Sequence, residues 1–210
     1  MVKEGYWYGL PLVLLSGGLM GVGLYWPGAF VLALAFWVLN FFRDPDRTIP
    51  ADLGAIVSPA DGRVVQMEEE CIEGWPTQRL SIFMSPFDVH VNRSPIAGAI
   101  KAVSYRKGAF HIATQALASV ENEQNVFTVR GEQEEIIVKQ IAGILARRIV
   151  FWKALGDRLE RGERVGMIKF GSRVDVIVGP SVDWRVKVGE RVRAGSSILG
   201  ISRAKARAGT

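Results

Sequence analysis

The sequence contains few of the residues that carry disulfide, metal and nucleotide chemistry. Its 210 residues include one cysteine, Cys71, and two histidines, His90 and His111. A single cysteine excludes an intrachain disulfide framework. Two histidines far apart in the chain, without further cysteines, do not supply the ligand set of a metal site, so we expect no bound metal. The chain also lacks a Walker phosphate loop and a dinucleotide-binding glycine motif, which argues against the common nucleotide-binding classes.

The charge of the chain carries no nucleic-acid signature. The formal net charge is +5, but no run of basic residues is interleaved with aromatic residues, so we expect no nucleic-acid partner. A membrane surface or an anionic lipid head group is the more natural partner for a basic excess that is spread along the chain.

Charged side chains are absent from a long stretch near the N-terminus, residues 5–42. One straight helix of this length would exceed a bilayer, because about 20 residues span the hydrocarbon core. The Pro27-Gly28 pair near the middle of the stretch interrupts a helix. We therefore predict two apolar helices that form a hairpin at this corner and either cross the membrane or enter one leaflet and return.

Basic residues on both sides of this stretch set its expected orientation. Lys3 precedes it, and Arg43 and Arg47 follow it. Such residues favour the cytoplasmic side of a membrane. We therefore predict that residues 1–47 anchor the chain to the cell membrane and that residues 48–210 form a soluble domain on the cytoplasmic side.

The rest of the chain has the pattern of a mainly β domain. From residue 55 onward, short runs rich in β-branched residues alternate with turn residues. Short helices are expected in two segments, HIATQALASV at 111–120 and FWKALGDRLERGE at 151–163.

Two segments at opposite ends of this domain resemble the halves of a biotinyl/lipoyl-type hybrid barrel. They are IVSPADGRVV, residues 56–65, and RVKVGERVRAGSSILG, residues 185–200. In such barrels an early strand pairs with a late one, and Gly189 and Gly195 are well placed for turns with positive φ. The predicted fold is therefore mainly β with short helices, with a biotinyl/lipoyl-like hybrid barrel core preceded by an N-terminal apolar helical hairpin.

Three polar positions in the β pattern supply the groups that activate a hydroxyl. They are Asp61 in SPADG, His90 in SPFDVHVNR, and Ser172, which follows Gly171 in GMIKFGSRVDVIV. In a serine nucleophile, a carboxylate orients an imidazole and the imidazole takes the hydroxyl proton. Each position also has an ordinary structural explanation, because Asp-Gly and Gly-Ser are common in turns. A histidine between valines is commonly a core residue. Local sequence leaves both explanations open.

Five motifs, taken in order, resemble the short form of the phosphatidylserine decarboxylase family. They cover most of residues 55–200 and are SPADG, SPFDVHVNRSP, ENEQN, QIAGILARRI and GERVGMIKFGSRVD. The resemblance implies a proenzyme that cuts itself between Gly171 and Ser172 by autocatalytic serinolysis. A β chain of residues 1–171 and an α chain of residues 172–210 would then remain together as a heterodimer.

The resemblance also implies a cofactor and roles for the three polar residues. Ser172 would become a covalent pyruvoyl group, which takes the electron-sink role of pyridoxal phosphate and forms a Schiff base with the substrate amine. Asp61 would orient His90, and His90 would take the Ser172 proton and later return a proton to the substrate Cα. Long forms carry a second histidine three positions after the first, where this chain has Arg93, so the group that replaces that histidine stays open.

The implied activity is decarboxylation of phosphatidylserine to phosphatidylethanolamine and CO2, a lyase step of phospholipid biosynthesis on a membrane substrate. Decarboxylation of archaetidylserine by the same mechanism is an alternative. A biotinyl/lipoyl-like membrane adaptor without catalysis is less well supported, because the chain has neither a lysine at a hairpin tip nor long heptads. A membrane serine peptidase would use the same three residue types, but the sequence around Ser172 lacks a nucleophile elbow. Homo-oligomerisation stays open.

Overall fold

The computed structural model describes residues 1–72, 74–108, 122–143, 148–169 and 172–203. The chain divides into two compact units, Met1–Asp46 and Arg47–Thr210. The division falls one residue before the boundary expected from the sequence. Arg47 belongs to the second unit, where its guanidinium bonds Asp61.

The first unit is a helical hairpin of α1 (Lys3–Gly21) and α2 (Tyr25–Phe41), which confirms the predicted pair of apolar helices. The expected corner at Pro27-Gly28 is wrong, because the turn lies at residues 22–24, where Gly23 has a φ of 86°. Pro27 falls in the first turn of α2, where a missing N–H leaves no intrahelical bond unmade. Gly28 allows close packing of the helices, since a Cβ there would lie 2.6 Å from Met20 Cγ.

Large apolar side chains are exposed on this hairpin, among them Trp7, Leu14, Trp26 and Phe30. By length and hydropathy, none of the helices in the described residues qualifies as a membrane-spanning segment. Anchoring of residues 1–47 to a membrane stays a prediction.

The second unit is mainly β, as predicted. In the described residues its strands are β1 (Ala55–Val57), β2 (Gly62–Ile72), β3 (Trp75–Met84), β4 (Val91–Arg93), β5 (Gly98–Arg106), β6 (Gln124–Arg130), β7 (Glu135–Ala142), β8 (Arg148–Phe151), β9 (Arg158–Leu159), β10 (Arg164–Lys169), β11 (Ser172–Val178), β12 (Val182–Trp184), β13 (Arg191–Val192) and β14 (Ile198–Ser202).

These strands form one large antiparallel sheet and two small ones. The large sheet has the order β13-β2-β3-β11-β7-β6-β5-β9, and the small sheets have the orders β1-β14-β12 and β4-β10-β8. Early and late strands pair as the hybrid-barrel pattern predicts, with Ile56 opposite Gly200 and Gly62 opposite Val192. Gly189 and Gly195 have φ values of 93° and 75°, which confirms the turns expected there.

The helix expected at residues 151–163 is wrong. Phe151 ends β8, and the chain then runs through turns and the short strand β9 before β10 begins. Gly156 and Gly162 adopt φ values of 90° and 78°, which are incompatible with a right-handed helix. The Asp157 carboxylate also accepts a hydrogen bond from the Ala154 N–H at 2.8 Å, the local bonding of a turn. The other expected helix, at 111–120, lies outside the described residues.

Strand β11 occupies the centre of the large sheet, between β3 and β7. All seven of its residues are buried, so both of its faces are covered. Val174, Val176 and Val178 belong to the apolar core together with side chains such as Ile82 and Val138. The N-terminal end of this strand carries the candidate site.

Candidate active site

Ser172 is the first residue of β11 and is fully buried. It lies opposite Met84 of β3 on one side and Ala142 of β7 on the other. Its hydroxyl donates a hydrogen bond to the Met84 sulfur at 3.3 Å, which is a weak acceptor. Gly171 lies outside the described residues, so the structure describes the predicted cleavage bond only from its Ser172 side.

His90 immediately precedes β4 and is also fully buried. Its Nδ1 lies 2.9 Å from the Asp88 carbonyl oxygen. A carbonyl oxygen only accepts, so Nδ1 carries the hydrogen in this contact and Nε2 is the basic nitrogen of the neutral ring. The His90 carbonyl accepts the Ile168 N–H at 3.3 Å. His90 is therefore attached to β10, the strand that runs towards residue 172.

Asp61 bonds groups other than His90. Its carboxylate accepts two hydrogen bonds from Arg47 Nη2, at 3.0 and 2.8 Å, and one from the Ala194 N–H at 2.8 Å. Gly62 must follow it, because a Cβ at position 62 would lie 2.1 Å from the Phe83 carbonyl oxygen. The structure thus places Asp61 where it ties the start of the second unit to its C-terminal part, without direct hydrogen bonding to His90.

The loop that ends at Asp61 nevertheless holds the strand that follows His90. The Pro59 carbonyl oxygen accepts the Arg93 N–H at 2.9 Å and the Asn92 side-chain amide at 3.4 Å. Arg93, at the position of the second histidine of long forms, is buried and donates from Nη1 to the Gly162 carbonyl oxygen at 3.0 Å. The loop at residues 58–61 is therefore bonded through Pro59 to β4, the strand that follows His90.

A chain of buried amides leads to the surroundings of Ser172. Asn125 donates to Gln140 Oε1 at 2.8 Å, and Gln140 donates to Asn92 Oδ1 at 2.8 Å. The Asn92 amide then lies 3.8 Å from the sulfur of Met84, the atom that accepts the Ser172 hydroxyl. Sequence reasoning missed these residues. The available signal was a polar residue on the inward-facing side of an apolar strand, as with Gln140 in EIIVKQIA.

The Arg173 side chain fixes the backbone directly after Ser172. It is the largest fully buried side chain in the described residues, and it donates to both Asp175 carboxylate oxygens, at 2.6 and 2.9 Å. Arg79 Nη1 lies 3.7 Å from the same carboxylate. Removing one partner of a buried ion pair leaves an uncompensated charge, which is strongly destabilising. This pair therefore holds the beginning of β11 in a defined position.

The cross-strand surroundings of Ser172 are apolar. The two cross-strand neighbours, Met84 and Ala142, are fully buried and carry no ionisable group. Ala142 contributes only a methyl group beside position 172. Within the described residues, no group of three or more His, Cys, Asp or Glu side chains could hold a metal ion.

Comparison with known proteins gives consistent relatives. A family model described as phosphatidylserine decarboxylase matches residues 34–200. The phosphatidylserine decarboxylase proenzyme of Solibacter usitatus is 48% identical over 206 residues, covering 95% of this chain and 95% of the relative. That of Salinibacter ruber is 47% identical over 199 residues, covering 89% and 87%. That of Carboxydothermus hydrogenoformans is 41% identical over 207 residues, covering 95% of each.

These matches extend over the helical hairpin, the strands that surround Ser172 and the pairing of early with late strands. The identity exceeds 40% along almost the full length of both chains. The chain therefore belongs to the phosphatidylserine decarboxylase family.

Proposed function

We infer that this protein decarboxylates phosphatidylserine to phosphatidylethanolamine and CO2, after cutting its own chain between Gly171 and Ser172. The observation that carries this function is the position of Ser172 in a chain of this family. The serine of the Gly-Ser pair is buried at the first residue of a central strand. Strand β10, which precedes this strand in the chain, donates the Ile168 N–H to the His90 carbonyl oxygen.

Self-cleavage uses the hydroxyl of Ser172 as nucleophile. The hydroxyl turns from Met84 and gives its proton to Nε2 of His90, while its oxygen attacks the Gly171 carbonyl carbon. The peptide bond becomes an ester, and the amine of residue 172 leaves the acyl group with the proton that His90 took from the hydroxyl. Loss of the Cα proton to a base then expels the Gly171 carboxylate and leaves a dehydroalanine, whose enamine takes up a proton at Cβ and becomes an imine. Water replaces the resulting imine nitrogen, ammonia leaves, and a ketone remains at position 172.

Asp61 is proposed to act as a positioning residue in this step. Its bonds to Arg47 and Ala194 hold the end of the loop at residues 58–61, and the Pro59 carbonyl in that loop fixes β4. His90 immediately precedes β4, so the direction of its ring depends on the position of this strand. Asp61 thus orients His90 through the backbone rather than by a direct hydrogen bond.

The pyruvoyl group at position 172 supplies a carbonyl that draws electrons from the substrate as CO2 leaves. The residues of the chain provide its surroundings. Met84 and Ala142 border position 172 with apolar side chains, and Arg173 holds the strand in place through Asp175. His90 returns a proton from Nε2 to the substrate Cα. General acid catalysis of this kind contributes about 10²- to 10⁴-fold in rate.

The two chains remain together after cleavage because strands of the new α chain pair with strands of the β chain. Its strand β11 pairs with β3 from Ser172 to Val178 and with β7 from Ser172 to Ile177. Its strand β14 pairs with β1, and its strand β13 pairs with β2. The mature enzyme is therefore a heterodimer of the α and β chains of one precursor.

Intact mass spectrometry, combined with a lipid assay, tests the proposed function. The purified wild-type protein should contain two chains with the masses of residues 1–171 and 172–210. Incubated with phosphatidylserine in detergent micelles, it should form phosphatidylethanolamine without added cofactor. An uncut wild-type chain that still makes this product would contradict the proposed mechanism, and a cut chain that makes none would contradict the proposed substrate.

We further propose that the α1–α2 hairpin holds the enzyme at the cell membrane, with the catalytic unit on the cytoplasmic side. The exposed Trp7, Trp26 and Phe30 side chains support this location, because aromatic and aliphatic side chains partition into the lipid interface. A membrane location suits a substrate that stays in the bilayer.

Removal of residues 1–42 should move the protein from the membrane fraction towards the soluble fraction after cell lysis. Self-cleavage should continue, because the strands around Ser172 all belong to the second unit. Sedimentation followed by immunoblotting measures both results, since the blot separates cut from uncut chain. Unchanged tight sedimentation with membranes would place the anchor elsewhere in the chain.

A further inference from the structure

Glu123 lies in the same cross-strand row as Ser172. Gln124 is opposite Ile141, and the Ala142 N–H donates to the Glu123 carbonyl oxygen at 2.9 Å, which puts Glu123 opposite Ala142. Ala142 is in turn opposite Ser172. Neighbouring strands are about 4.8 Å apart. Glu123 therefore lies two strands away from Ser172, and the residue between them is Ala142, whose side chain is a methyl group.

The Glu123 side chain is on the face of the sheet that carries Ser172. Its Oε1 accepts a hydrogen bond from the Tyr105 hydroxyl at 2.5 Å. Tyr105 is opposite Asn125, and Asn125 is opposite Gln140. Gln140 is opposite Val174, two residues after Ser172. Directly opposite residues, and residues two apart in one strand, share a face, so Tyr105 and Ser172 lie on the same face of the sheet. The hydrogen bond from Tyr105 therefore agrees with the face that the register gives for Glu123.

Glu123 carries a carboxylate that is almost fully buried. It is 9% exposed, and among the described residues its side chain is bonded by the Tyr105 hydroxyl and is in no ion pair. Buried carboxylates in proteins are normally paired with a cation or a metal. This carboxylate therefore has the chemistry of a site that is completed by a positively charged ligand.

Tyr105 is suited to hold this carboxylate in place. The Tyr105 side chain is 50% exposed. Its partial burial, the hydrogen bond to Glu123 and the negative charge of Glu123 raise the pKa of Tyr105 to about 12, and the nearby charge of Arg148 acts in the opposite direction. The phenol therefore remains a hydrogen-bond donor throughout the physiological pH range. It fixes Oε1 and leaves the other carboxylate oxygen for a ligand.

We propose that Glu123, held by Tyr105, binds the ammonium group of the serine head group and so selects lipids that carry an amine. This inference rests on the proposed function, because the amine of the substrate must approach position 172 for the reaction to begin. A carboxylate in the row of Ser172 brings the ammonium group to that position. Lipids that lack an amine gain nothing from the interaction.

The test is lipid binding to a mature enzyme that cannot react. Sodium borohydride reduces the ketone at position 172 to an alcohol, so binding is measured by calorimetry without turnover. The probes are dihexanoyl phosphatidylserine and phosphatidylethanolamine, which carry an ammonium group, and dihexanoyl phosphatidylglycerol, which does not. Glu123→Gln should weaken binding of both amine lipids about tenfold, the size of one charge-assisted hydrogen bond, and should leave phosphatidylglycerol binding unchanged.

Two variants serve as controls. Tyr105→Phe keeps the carboxylate but removes its donor, so a smaller loss, restricted to the amine lipids, is expected. Glu132→Gln makes the same charge change at an exposed residue of the turn between β6 and β7, the far end of these strands from Ser172, and should bind all three lipids like wild type.

Unchanged amine-lipid binding by Glu123→Gln would overturn the proposal, and so would an equal loss for all three lipids. A Glu123→Gln chain that does not cut itself would also overturn it, because Glu123 would then act before any substrate arrives. Failure of the proposed function has a different signature, since in that case the wild-type enzyme itself makes no phosphatidylethanolamine.

Discussion

Ser172→Ala protein is expected to be one uncut chain without decarboxylase activity. Alanine supplies neither an oxygen to attack the Gly171 carbonyl nor a leaving group at Cβ, so the ketone cannot form. Ser172 is fully buried, and its hydroxyl donates to the Met84 sulfur, a weak acceptor, so this substitution should disturb packing little. Intact mass spectrometry and circular dichroism should show a folded precursor, while wild type shows two chains.

Ser172→Cys provides a matched control for this result. A thiolate can form the analogous thioester and can still be eliminated, so slow or partial cutting is expected. Wild-type protein should lose activity with hydroxylamine or borohydride, because these reagents consume a ketone, and its short chain should resist Edman sequencing. A serine peptidase would behave differently, with an intact chain and a serine that reacts with phosphonylating agents.

The fold was largely predictable because local pattern and long-range pairing agree. The β-branched runs identify the strands, and the two end segments pair as expected, with Ile56 opposite Gly200. The misplaced helix at residues 151–163 shows where local pattern fails. The apolar residues of this segment have the spacing of a helix. Gly156 and Gly162 nevertheless adopt the positive φ values that the turns around them require.

The sequence was enough to name Ser172 and His90 as candidates, but not to find the residues that they and Asp61 contact. His90 stands out because the chain has only two histidines, and Ser172 stands out because few serines in the chain directly follow a glycine. The partners of Asp61 could not be read from its neighbours, because Arg47 and Ala194 are remote in sequence. The same holds for the buried amides Asn92 and Gln140, which meet only when β4 and β7 come together.

The position of Asp61 alters what its substitution should do. Asp61→Asn keeps a side-chain oxygen for the Ala194 N–H but loses the charge that pairs with Arg47. The loop at Pro59 should then hold β4 less firmly, so self-cleavage should slow without stopping. We expect a smaller effect than for loss of the imidazole, and an equal effect would indicate that Asp61 contacts His90 directly during the reaction.

His90→Ala should block or greatly slow self-cleavage. In this structure the Ser172 hydroxyl donates to the thioether sulfur of Met84, which takes no proton. The proposed base is Nε2 of His90, whose backbone is bonded to β10. General-base catalysis contributes about 10² to 10⁴ in rate, so most of the chain should remain uncut over the time of expression. The fraction of cut chain, followed by gel electrophoresis after a pulse of synthesis, measures the rate.

Met84→Leu serves as the packing control, since it removes the sulfur that accepts the Ser172 hydroxyl but leaves the proposed base, so this variant should mature. Wild-type cutting by His90→Ala would show that another group takes the Ser172 proton, and would confine His90 to the later return of a proton to the substrate.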